Sequence, residues 1–149
     1  MRRGETRRRR GPLAARLAKG GSPRAARLRL LAQDILASYF KNRSAAAEVT
    51  LVNARKMRAL NRAFRGLDRA TSVLSFATPA DFPNPPRTPK LFGEIYLCPS
   101  VIRARGESID YLLIHGLLHL LGFDHNISRA KIRMQRFEQK ILAWLKNRS

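Results

Sequence analysis

The sequence predicts a single small α+β domain, or its near relation a mixed α/β domain, with a mixed sheet of about four strands and four to five helices. Three observations predict it. Short β-branched segments are interspersed with stretches of helical periodicity. The length, 149 residues, is that of one ordinary domain. Hydrophobic residues make up 44% of the chain, enough for a sizeable core and too many for global disorder.

Leu28, Leu31, Ile35, Leu36, Tyr39 and Phe40 recur at helical spacing, so 24–42 reads as an amphipathic helix. Glu48-Val-Thr-Leu-Val52 alternates and is rich in β-branched residues, which predicts a strand. Asn53 is placed to cap a second helix over about 54–64, with Met57, Leu60 and Phe64 on one face and Gly66 at its end. Ser72-Val-Leu-Ser-Phe76 is a second strand. Pro79, Pro83, Pro85, Pro86 and Pro89 then impose a loop. Glu94-Ile-Tyr-Leu-Cys98 is a third strand, stopped by Pro99. Helical patterning returns over 108–121, and Ser128 is placed to cap a last helix to about 146, with Ile132, Phe137, Ile141 and Leu145 inward. No internal repeat is visible.

The chain carries thirty Lys and Arg against ten Asp and Glu, a formal charge of +20. Such a surplus points to a polyanionic partner, above all nucleic acid; a solubility device or a membrane-surface patch is the blander alternative. Residues 1–29 hold eleven of the basic residues and one acid, Glu5, and so half the net charge. Residues 1–23 read as a basic, mobile arm with Arg7, Arg8, Arg9 and Arg10 as candidate nucleic-acid contacts, and 24–149 as the folded domain. Arg16 and Lys19 interrupt the apolar stretch a secretory signal needs, and the scarcity of hydroxyl residues weakens an organellar transit reading. No apolar run approaches the ~20 residues of a membrane-spanning helix, so no membrane partner is expected. The one cysteine, Cys98, forms no intrachain disulfide; it reads as a small core residue of a protein in a reducing compartment, the cytoplasm.

All three histidines lie in one eleven-residue window, His115-Gly-Leu-Leu-His119-Leu-Leu-Gly-Phe-Asp-His125. Residues four apart on a helix share a face, so His115 and His119 point at one spot, and Gly122 offers the left-handed turn that swings His125 back. Three imidazoles around Zn²⁺, one ion per chain, leave a fourth position open, which is the pattern of a catalytic site. The spacing also matches the metzincin protease pattern ligand for ligand. Those proteases place a glutamate general base where this chain has Gly116, so a zinc peptidase is the weaker reading.

The window resembles the zinc motif of the YbeY family of metal-dependent endoribonucleases, the rRNA maturation factors, including Leu118, Leu120, Leu121, Gly122 and Asp124. Leu60-Asn61, Phe64-Arg65-Gly66-Leu67-Asp68 and Thr71-Ser-Val-Leu-Ser-Phe76 resemble a second signature. Gly93-Glu94-Ile95 resembles a third, with Glu where Asp is usual. The resemblance spans about residues 30–146 with the blocks in the family's order. It implies a small α+β fold and a three-histidine metal site at the end of a central helix. It also implies cleavage of single-stranded RNA, in the maturation of small-subunit (16S) ribosomal RNA and ribosome quality control, with the small ribosomal subunit or its proteins as partners. Two departures stand out: the region after the motif is basic (Arg129, Lys131, Arg133, Arg136), and the N-terminal arm has no counterpart in the pattern.

The resemblance makes Arg65 the candidate catalytic cation, a guanidinium for the charge that builds on a phosphate under attack. Asp124, beside His125, is a partner that orients a ligand imidazole, a base, or a turn residue. Arg129 and Arg133 join the arm as candidate RNA contacts. Glu94 is either a partner contact or a buried strand-end carboxylate. The competing function is a non-catalytic RNA-binding assembly factor whose zinc is structural.

Overall fold

Ser22 accepts a hydrogen bond from the Ala25 amide at 3.2 Å and Pro23 fills the first turn, where its missing N–H goes unneeded, so α1 (Pro23–Asp34) starts sharply. The structure, a computed structural model, describes residues 22–79, 81–83, 85–123 and 128–148. Most of the expected arm, residues 1–21, lies outside these. The three basic residues Arg24, Arg27 and Arg29 belong to α1, where Arg27 pairs with Asp110 at 2.7 Å and Arg29 donates to the Val49 carbonyl at 2.9 Å.

The helix expected over 24–42 divides. After α1 the chain widens into one π turn (Ile35–Tyr39), with the Phe40 amide bonded to the Ile35 carbonyl at 3.1 Å. Both Ile35 and Leu36 are buried there, and Tyr39 meets Phe40 and Trp144 edge-on at 5.0 and 5.5 Å. Packing, which propensity does not see, selects the wider turn.

Strands β1 (Ala45–Leu51), β2 (Val73–Ala77) and β3 (Lys90–Leu97) form a sheet in the order β1-β3-β2, with β1 parallel and β2 antiparallel to the central β3. About four strands were expected; the described residues form three. The added length goes instead into β1, which runs back through Ala45, Ala46 and Ala47, and into β3, which begins at Lys90. Alanine is a poor strand former, but all three alanines are buried here, where only a small side chain fits between layers.

Helix α2 (Ala54–Arg65) links β1 to β2, and the proline-rich loop links β2 to β3. A short α3 (Pro99–Ala104), α4 (Ile109–Leu120) and α5 (Ser128–Arg148) follow. Pro99 ends β3 as expected and also opens α3. The main core joins α1, the sheet, α4 and α5 through Leu28, Ile35, Val49, Ile95, Leu113, Leu117 and Ile141. Cys98 is a free, buried thiol in a smaller cluster with Met57 and Leu74. No described helix is long and apolar enough to cross a membrane.

Two expected inward faces are corrected. On α2, Phe64 is exposed and rests on Phe76 at 5.0 Å, while Asn61 takes the buried place and donates to the Arg69 carbonyl at 2.9 Å. On α5, Ile132 is exposed, and the buried stripe is Met134, Glu138 and Ile141. A buried polar group completes the stripe in each case, which a count of apolar residues passes over.

Candidate functional site

Helix α4 is fixed before its chemistry begins. Ser108 caps it by accepting from the Tyr111 amide, and Leu113, Ile114, Leu117 and Leu118 are buried along it. Gly116 faces the sheet. A Cβ there would lie 2.9 Å from Ser75 Oγ and 3.1 and 3.2 Å from two Ile95 methyl carbons, so any side chain would force these neighbours to shift. The position that holds the general base in the metzincin pattern therefore has no room for a glutamate. The end of α4 is a Schellman turn: the Gly122 amide donates to His119 and the Phe123 amide to Leu118, with Gly122 at φ 95°.

His115 and His119 converge on the adjoining flank of α4, beside the Gly116–Ser75 contact. Their Nε2 atoms are 3.1 Å apart, and the rings meet edge-on with centroids at 4.6 Å. His115 Nδ1 lies 3.0 Å from Oε1 of Glu138 on α5, a side chain only 2% exposed. With Nδ1 turned to that carboxylate, Nε2 is the nitrogen His115 presents to the cleft. Tyr111 stacks on His115 at 6.2 Å; burial, then the neighbouring Glu138 carboxylate, pushes its phenol up to about 12.

This arrangement fits a transition metal. Two imidazole nitrogens 3.1 Å apart match the spacing of two ligands at ~2.0–2.1 Å from one ion, and a carboxylate behind a ligand histidine is the usual support of such a ligand. His125 and Asp124 fall outside the described residues. The Gly122 turn expected to carry the chain toward them is present.

Arg65 lines the same cleft of about 320 Å3 as His115 and His119, with Val73, Leu74, Ser75, Ala77 and Leu120. Gly66, at φ 70°, ends α2 immediately after it, and the helix C-terminus favours the guanidinium. Sequence blocks fifty residues apart thus meet around one space. Among the other candidates, Arg129 and Arg133 are exposed on α5, with Arg133 over the Phe123 ring at 5.5 Å; Arg7, Arg8, Arg9 and Arg10 lie outside the described residues. Glu94 sits half-buried in the middle of β3 and accepts from the Tyr96 hydroxyl at 3.4 Å.

Sequence reasoning missed Glu138. It is the one acid after Asp124, and it stands at four- and three-residue spacing between Met134 and Ile141. An acid on an apolar stripe was the available signal.

Comparison with known proteins agrees with this layout. The profile of the family described as Endoribonuclease YbeY matches residues 21–146. An Endoribonuclease YbeY of Desulfitobacterium hafniense is 39% identical over 131 residues, covering 76% of this chain and 82% of that protein. One of Halorhodospira halophila is 31% identical, covering 87% and 88%. The solution structure of TM1509 from Thermotoga maritima superposes with a TM-score of 0.52 at 26% identity, over 85% of this chain and 90% of that one. The profile match and these relatives show that the chain belongs to the Endoribonuclease YbeY family.

Proposed function

We propose that the protein is a zinc-dependent endoribonuclease that cuts single-stranded RNA, acting in the cytoplasm on small-subunit ribosomal RNA during maturation and ribosome quality control. The supporting observation is the shared cleft: the paired Nε2 atoms of His115 and His119 and the Arg65 guanidinium line one space. His115, His119 and His125 would hold the metal, which when bound supplies Lewis acidity toward a phosphoryl oxygen and toward an attacking hydroxyl.

The remaining work falls to the chain's own side chains. Glu138 accepts a hydrogen bond from His115 Nδ1–H and so fixes which nitrogen is offered to the cleft. Arg65 donates to the phosphate and offsets the charge that grows on it during attack. The rigid placement of α4 against the sheet keeps the two histidines in register before substrate arrives.

Cleavage of single-stranded and duplex oligoribonucleotides, with and without added zinc, tests the reading. Zinc-stimulated cutting of the single strand, lost in His115→Ala, is the expected result. A protein that binds RNA and zinc but cuts neither substrate would be the assembly factor instead.

A further inference from the structure

Helix α2 carries Arg55, Arg58, Arg62 and Arg65 at spacings of three, four and three residues. At 100° per residue the four fall within about 80° of arc, and at 1.5 Å per residue they span about 15 Å along the helix. They form one stripe, and its last member is the arginine of the cleft. Beside it runs a shallow groove of about 470 Å3, lined by Arg55, Arg58 and Arg62 with Ala59 and Ala63 between them. The alanine methyls keep the floor low, so a chain lying there meets guanidinium groups rather than bulky side chains.

Folding accounts for only part of this stripe: the helix C-terminus favours Arg62 and Arg65 and Arg58 pairs with Asp68, but nothing in the fold calls for Arg55. Like charges three and four residues apart repel on a helix surface. Arg55 and Lys56 also sit in the first turn, where the helix dipole favours acids and this helix has none. The one acid at the groove is Asp68, which accepts from Arg58 at 2.8 and 2.9 Å and is held below the usual carboxylate range, chiefly by that hydrogen bond. One carboxylate against three arginines leaves the groove strongly positive, and the Arg58 side chain is held in place along it.

We propose that this outer face of α2 is a binding track for the phosphate backbone of single-stranded RNA, which it guides along the helix to the cleft at Arg65. The stripe's direction, its charge and its continuity with Arg65 all favour a polyanionic strand over a compact anion. The proposal rests on the endoribonuclease reading above.

The test measures binding of a fluorescein-labelled single-stranded oligouridylate of about 16 nucleotides, read within seconds of mixing, across a range of salt concentrations. The variants are Arg55→Gln with Arg62→Gln, the same pair changed to Lys, and a control pair, Arg103→Gln with Lys146→Gln, which removes equal charge elsewhere. Glutamine and lysine both support helix, and circular dichroism confirms that α2 persists.

The Gln pair should flatten the slope of log K against log salt by about 1.4, from ~0.7 per phosphate contact on a single strand. Between 50 and 200 mM salt it should then lose about sevenfold less affinity than the wild type. The Lys pair should keep the wild-type slope. A Gln pair that matches the wild type, or a control pair that flattens the slope as much, overturns the track. Unchanged RNA binding by the Gln pair, beside a wild type that still cuts RNA, leaves the endoribonuclease reading standing and assigns the stripe to another partner, such as an acidic protein surface. A wild type that neither binds nor cuts RNA removes both.

Discussion

Two helices wall the cleft, and they are opposites. Helix α4 has no Lys or Arg and one acid, and six of its twelve residues are buried. Helix α2, also twelve residues, has five Lys and Arg and no acid, and buries two. The difference separates two tasks. Groups that must stay fixed to within a fraction of an ångström stand on the helix held by burial. Groups that must attract a polyanion from a distance stand on the helix left in solvent, where charge need not be desolvated. Changes on α4 should therefore damage structure and metal binding, and changes on α2 should alter rate and salt dependence while the fold stands.

The most severe break in that comparison is Gly116→Glu. It forces a charged side chain against Ser75 and Ile95 at a buried position, and should destabilise the fold by more than about 3 kcal/mol, read as the shift in denaturant midpoint. A variant of wild-type stability would show that α4 is not held as described. Next in size, His119→Ala should release most of the metal, as elemental analysis of the purified protein would show; full retention would remove His119 from the site.

Glu138→Gln should weaken metal binding by about 10- to 100-fold, the usual effect of losing the carboxylate behind a ligand histidine, and competition with a chelator measures it. On the other wall, Arg65→Ala should leave metal content intact and slow single-turnover cleavage of single-stranded RNA at least about tenfold, or ~1.4 kcal/mol. An unchanged rate would take Arg65 out of the reaction. The last prediction concerns the N-terminal segment, which belongs to neither helix. Residues 1–21 hold eight Lys and Arg against Glu5. If about four of them meet phosphates, removing the segment should flatten the salt slope of RNA binding by roughly three units while cleavage at saturating RNA persists. The deletion must stop there, because Ser22 caps α1 and Ala25 and Leu28 are core residues.

Much of this was legible in the sequence because each feature announced itself locally. Asn53 and Gly66 bracket α2, Ser108 and Gly122 bracket α4, and the four-residue spacing of His115 and His119 puts them on one face without help from the rest of the chain. Arg65 was reached through a motif; its meeting with the histidines depends on β2 and α4 packing side by side, which no local rule encodes. What stayed hidden was decided by tertiary burial. Alanines 45–47 became strand, Phe64 and Ile132 turned outward, and Asn61 and Glu138 turned inward, each against its residue type. The sequence showed Gly116 only as the absence of a protease base; its close packing against Ser75 and Ile95 is a tertiary fact that no spacing reveals.

Helix α5 gives the site a mechanical dependence on a distant part of the molecule. Its Glu138 stands behind His115, and about 15 Å further along, Arg148 pairs with Asp34 at 2.6 Å and covers the Trp144 ring at 4.5 Å, while Trp144 meets Tyr39 at the π turn. The helix therefore acts as a strut clamped at its far end, and its rotation about its own axis sets the aim of the carboxylate. Inserting a single residue between Glu138 and Trp144 would turn one end by about 100° relative to the other, so that clamp and carboxylate could no longer be satisfied together. The length of α5 between those two points is thus as much a part of the site as the histidines, although most of the residues that measure it out never approach the cleft.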